Sequence, residues 1–104
     1  MNPSDDEQAD NLFDDAATEV VELGNRLLQM YPDADPWDVA AGMFAGAVHF
    51  WLYSHQPCDD PHCDSCTAVD TAEKRLRLMH EELDQSAQES EYFHTPNDAN
   101  VGRA

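Results

Sequence analysis

Basic residues are scarce in this chain. Lysine and arginine together number 5 in 104 residues, against 22 aspartates and glutamates, and the formal net charge is -17. A surface so poor in cations cannot displace counterions from a phosphate backbone, so unaided nucleic-acid binding is excluded. Attachment to an anionic membrane is disfavoured on the same ground. Long apolar runs are missing as well. The longest extends from Trp37 to Tyr53 and includes His49, and it is shorter than the roughly 20 apolar residues that a membrane-spanning helix needs. Strand-like alternation, internal repeats and low-complexity tracts are absent. So are a Ser-His-Asp set, a glycine-rich phosphate loop and any helix with a metalloprotease motif, and no enzyme is expected. Cysteine is limited to 3 residues, all between Cys58 and Cys66. An odd, clustered set does not suit a disulfide framework, which points to a reducing, cytoplasmic setting. The segment Met1 to Glu7 has neither the basic nor the apolar region of a secretory signal.

Three helical patterns remain. Residues 1–10 are acidic and lack apolar anchors, so a frayed end is expected there. From Asn11 onward, Phe13, Ala17, Val20, Gly24, Leu27 and Tyr31 step by four and three, which predicts helix 12–31. Its acids Asp14, Asp15, Glu19 and Glu22 fall on the other face. Pro32 ends this helix and Pro36 starts the next. Asp35 suits the N-cap of a helix over 36–54, with Pro36 in the first helical position. So short a link predicts antiparallel neighbours.

The second helix is apolar around most of its girth. Its bulky residues Trp37, Val39, Met43, Phe44, Val48, Phe50, Trp51 and Leu52 fall on a broad arc. A narrower strip holds Asp38, Gly42, Ala45, Gly46, His49 and Tyr53. Such a helix has to be covered on several sides. Each glycine costs roughly 1 kcal/mol of helix propensity, which a close contact must offset. Asp38, Gly42, Gly46, His49 and Tyr53 therefore mark a candidate pocket or interface strip. The Thr67/Asp70 pair reads as a helix start, and Val69, Ala72, Leu76, Met79 and Leu83 continue as a bundle seam, which predicts helix 67–91. Residues 94–104 show no period and are expected to form an irregular tail.

Between the second and third helices lies a Cys/His loop, residues 55–66. Cys58, Cys63 and Cys66 form C-x4-C-x2-C, and His55 precedes them in H-x2-C-x4-C-x2-C. Zinc takes four ligands in a tetrahedron, and thiolate with imidazole is a common set. Cys58, Cys63, Cys66 and His55 are the candidate ligands, with His62 the alternative fourth. Four available donors favour a closed, structural zinc site over a catalytic one with an open position. The spacing is partly similar to that of zinc knuckles, although the ligand order differs and the last gap is shorter. It also matches the leading part of plant-type ferredoxin spacing, without the fourth cysteine. Lys74, Arg75 and Arg77 hold three of the chain's five basic residues and follow the cluster closely.

These features together predict an all-α protein, a single domain over residues 1–104. The expected architecture is a three-helix antiparallel bundle with a short metal-binding loop between helices 2 and 3. Two amphipathic helices would cover the apolar middle one incompletely, so a homodimer is expected. The function expected is protein–protein binding, as an adaptor, regulator or inhibitor of a basic partner. The alternatives are a metal- or redox-responsive switch at the cysteines, and small-ligand binding or catalysis at the Asp38/His49 strip.

Overall fold

In the computed structural model the backbone is described for residues 3–101 and the side chains for residues 8–98. Expectations for residues 1–2 and 102–104 lie outside this range. The described chain is all-helical. It contains α1 (Pro3–Met30), α2 (Pro36–Ser54), a 3-10 turn (Asp64–Val69), α3 (Ala72–Glu89) and α4 (Pro96–Val101). The chain divides into two compact units, Met1–Trp51 and Leu52–Ala104. Each is described by itself.

The first unit is a hairpin. α1 begins at Pro3, well before the 12–31 range that its apolar periodicity marks. The reason is local. A helix start can form without an apolar period to mark it in the sequence. At the other end, the Tyr31 N–H donates to the Leu27 carbonyl at 2.9 Å, and the Ala34 N–H to the Tyr31 carbonyl at 2.9 Å, turning the chain. Asp35 then caps α2 as expected, its Oδ1 accepting from the Trp37 N–H at 3.0 Å.

α1 and α2 meet at Gly24, the one buried residue among those described. A Cβ built there would lie 2.9 Å from Met43 Sδ and 3.1 Å from its Cε. Gly24 precedes Tyr31 by as many positions as Met43 follows Pro36, as a chain folded back on itself requires. Gly24→Ala is therefore expected to be close to neutral. The helix gains roughly 1 kcal/mol of propensity, and the flexible end of Met43 yields. Gly24→Leu should lower hairpin stability by about 2 kcal/mol through overpacking. Thermal melts followed by circular dichroism separate the two.

The cover that the apolar girth of α2 calls for is not supplied within the hairpin. None of its residues is buried, and among the described residues no hydrophobic side chain of the chain is fully buried. Trp37 is 84% exposed, Phe50 69% and Phe44 58%. The split between a bulky arc and a small-residue strip also changes. Val39 and Met43 face the same α1 groove as Gly42 and Gly46. On a helix turning 100° per residue, positions 39, 43 and 46 lie close together, so arc and strip share this face. Among the described residues, no helix is long and apolar enough to cross a membrane.

In the second unit, the helix expected over 67–91 is two elements. The 3-10 turn occupies Asp64–Val69, and α3 starts only at Ala72. The cap is Thr71 rather than Thr67, its Oγ1 accepting from the Lys74 N–H at 3.1 Å. Thr67 instead turns its hydroxyl back to the Cys63 carbonyl at 3.4 Å. The tail expected to be irregular contains α4. The Thr95 N–H donates to Asp98 Oδ2 at 2.9 Å, and the Asp98 N–H to the Thr95 carbonyl at 3.0 Å. With Pro96 in the first helical position, the Asp98 carboxylate supplies its half of a capping box.

Candidate metal centre

The three cysteines are brought together by two devices. The first is the 3-10 turn itself. Its three residues per turn stack positions i and i+3 on one face. Cys63, just ahead of the turn, and Cys66, inside it, therefore project their sulfurs to the same side. The Cys66 N–H closes this turn onto the Cys63 carbonyl at 3.2 Å. The second device is the loop that returns Cys58 to the turn. Asp60 organises it, with Oδ1 accepting from the His62 N–H at 2.9 Å and its carbonyl accepting from the Cys63 N–H at 3.2 Å. The Cys58 N–H then donates to Cys66 Sγ at 3.3 Å.

The result is a compact group. The three Sγ atoms all lie within 4.8 Å of one another, and Cys66 and Cys58 are 3.6 Å apart. Four sulfurs at 2.3 Å around a tetrahedral zinc would be spaced about 3.8 Å apart, so the observed separation fits metal ligation with little movement. A disulfide needs about 2.05 Å, and the cysteines are free. Cys58 is exposed, and Cys63 and Cys66 are half-exposed.

Electrostatics differ among the sulfurs. The Ser65 hydroxyl, 3.6 Å from Cys63 Sγ, is the main influence lowering that thiol to about 7, aided by the sulfurs of Cys58 and Cys66 and the Cys66 N–H. At Cys66 the N–H of Cys58 favours the thiolate. The neighbouring sulfurs of Cys63 and Cys58 outweigh it and push the thiol up. Three close sulfurs cannot all carry charge cheaply without a cation among them.

Basic residues of α3 brace the turn from its far end. Lys74 Nζ donates to the Thr67 carbonyl at 3.0 Å and pairs with Asp70 at 3.0 Å. Arg75 Nη1 donates to the Val69 carbonyl at 2.8 Å. Cations at the carbonyl end of a helical turn satisfy groups that would otherwise lack partners. Arg77 is more remote and pairs with Glu73 at 3.3 Å, in the i, i+4 relation visible in the sequence.

The histidines stand differently. The converging group is made of sulfur alone, and neither His55 nor His62 belongs to it. His55 is half-exposed, with Nδ1 3.1 Å from Ser54 Oγ. His62 is exposed. At the second candidate site, Asp38, Gly42 and Gly46 line an apolar groove of about 390 Å³ with residues of α1. His49 is not part of that lining, and Tyr53 is 76% exposed. Sequence reasoning found the cysteines but missed the 3-10 turn and the Thr71 cap. Asp70 and Thr71 ahead of Ala72 were the available signal, masked by the equally good Thr67/Asp70 pattern.

Fold and site together define a helical protein with a three-cysteine group able to hold a metal ion. No family model, no curated protein and no solved structure matches the chain.

Proposed function

We propose that the chain is a small acidic protein stapled by structural zinc, which acts by binding other proteins. The observation that carries this is the convergence of Cys58, Cys63 and Cys66 on one point, with a spacing that suits a tetrahedral ion. His55 supplies the fourth ligand, with His62 as the alternative. Both are close enough in sequence for a side-chain rotation or a small loop shift to bring a ring nitrogen to the sulfurs. The sulfur donors support zinc over the hard cations, which prefer oxygen. Reduced cysteines of this kind are kept in a cytoplasmic setting.

The role of the rest of the chain follows from charge. With 22 acidic residues against 5 basic ones, its surface attracts a basic protein and repels nucleic acid. Lys74, Arg75 and Arg77 are engaged with carbonyls or carboxylates. The chain thus serves as an adaptor, regulator or inhibitor, built as a three-helix antiparallel bundle that self-associates into a homodimer. Affinity capture followed by salt titration tests the electrostatic mode. A basic partner should be released between roughly 0.15 and 1 M salt, as the screening length falls from about 8 to about 3 Å. A partner retained unchanged across that range would count against it.

A second reading is favoured by one feature of the same group. Cys58 and Cys66 lie 3.6 Å apart and accessible, and Cys63 is lowered to about 7. A low, exposed thiol beside others suits a metal- or redox-responsive switch. Retention of zinc after mild peroxide separates a structural staple from a switch. Small-ligand binding or catalysis at the Asp38/His49 strip has less support, because His49 does not line the groove.

A further inference from the structure

We propose that the three sulfurs by themselves form a complete site for a soft monovalent cation, copper(I), which displaces zinc from them without using a histidine. The inference rests on the reading that Cys58, Cys63 and Cys66 hold a metal, and names a second ion that the same sulfurs select.

Geometry favours a three-donor set. The atoms that converge are sulfur alone. Zinc in a structural site takes four ligands, so a ring nitrogen has to be carried to the sulfurs before the tetrahedron closes. That movement has a cost at either histidine. His55 Nδ1 lies 3.1 Å from Ser54 Oγ, a contact that a moving ring has to leave or turn about. His62 follows Pro61, and its N–H is tied to Asp60 Oδ1 at 2.9 Å. The Asp60 carbonyl also holds the Cys63 N–H, so a shift of this turn disturbs a sulfur that it delivers. Copper(I) has a filled d shell and is satisfied by three thiolates. Three sulfurs about 2.3 Å from an ion in their own plane stand about 4.0 Å apart. The separations here, 3.6 Å for Cys58 and Cys66 and within 4.8 Å for every pair, bracket that spacing.

Softness points the same way. Polarisable sulfur binds a soft ion through covalent character that oxygen and nitrogen donors lack, so an all-sulfur set favours copper(I), and adding an imidazole narrows the margin over zinc. The charge is accommodated. Three thiolates around a monovalent ion keep one more negative charge than the same sulfurs around zinc. Two donors aimed at the sulfurs take up part of it, the Cys58 N–H at 3.3 Å from Cys66 Sγ and the Ser65 hydroxyl at 3.6 Å from Cys63 Sγ. Hydrogen bonds to ligand atoms tune the ion a site holds. Lys74 and Arg75 add positive charge at the far end of the same 3-10 turn. Cys58 is exposed and gives the ion a way in.

The test adds copper(I), without oxygen, to the full zinc-loaded chain and to a His55→Ala/His62→Ala variant. Competition with a chelator reads affinity, native mass spectrometry counts the metal, and X-ray absorption at the copper edge identifies the donor atoms. The wild type should release its zinc and take up a single copper per chain, with sulfur as its only neighbours. In the variant the zinc dissociation constant should rise about tenfold or more, while that for copper(I) changes by less than about twofold. Zinc that stays in place under excess copper(I) overturns this inference and leaves the zinc staple standing. A chain that binds neither ion overturns both. Two ions that respond alike to loss of the histidines overturn the three-sulfur set, as does nitrogen among the copper neighbours. A copper shared between two chains overturns it too, because the sulfurs of one chain are then not sufficient.

Discussion

Zinc added to the metal-stripped protein should raise the stability of the second unit by about 4 kcal/mol when free zinc stands a thousandfold above its dissociation constant. Cys63→Ser or Cys66→Ser should abolish nearly all of that gain. Little apolar packing holds residues 55–71 in place. The loop has no buried apolar side chain among its described residues. Its hydrogen bonds are turns around Asp60 and Cys63, the Cys58 N–H bond to Cys66 Sγ, and the Lys74 and Arg75 braces at its far end. A chain ordered by so few contacts recovers little of the 1–2 kcal/mol per residue that backbone ordering costs, roughly. Binding an ion at the sulfurs ties Cys58 to Cys66 across the turn, and ligation energy becomes folding energy. Cobalt substituted for zinc gives visible bands that report thiolate ligation directly. Loss of the bands in either variant, with α1–α2 helicity unchanged, is the expected pattern. His55→Ala should weaken cobalt binding more than His62→Ala. Equal binding by wild type and Cys63→Ser would remove the metal from the account altogether.

The helices were legible where a cap and an apolar period coincided. Asp35-Pro36 marked the start of α2 correctly, because the aspartate has one N–H to accept from and the proline has none to lose. The start of α1 was not legible, since an acidic first turn stabilises a helix without leaving an apolar period. Around Thr67 the sequence offered two equivalent caps four residues apart, and the choice was made by the cysteines. Stacking Cys63 over Cys66 takes a three-residue turn, which consumes Thr67 and passes the capping role to Thr71. The Cys58/Cys63/Cys66 group was readable from spacing alone. The fourth ligand was not, because His55 stands three residues before Cys58 and His62 directly before Cys63, and each is near enough in sequence to serve. The cover of α2 was not legible for another reason. Hydrophobicity shows that a helix requires cover, but not which element supplies it.

Metal affinity should fall steeply with acidity, and the slope should change near pH 7. A metal-bound sulfur has lost its proton, so every thiol still protonated in the free protein competes with the ion. Cys66 is pushed above its ordinary value by the adjacent sulfurs, so it remains a thiol at neutral pH and releases a proton on binding. Cys63, held at about 7 chiefly by Ser65, is ionised above that pH and contributes no competing proton there. Below it, Cys63 protonates as well and adds one proton to the competition. The sign is therefore fixed: affinity is fullest at high pH and is lost as pH falls. The logarithm of the binding constant should lose about one further unit per pH unit below 7 than above it, a tenfold change for each added proton. Competition titrations with a chelator between pH 6 and 9 would trace the curve. Ser65→Ala offers the sharper check, since removing its hydroxyl should move the break upward without touching a ligand. A break that stays near 7 in that variant would show that Ser65 does not set the Cys63 thiol. A profile flat across the whole range would mean that these sulfurs are not what holds the ion.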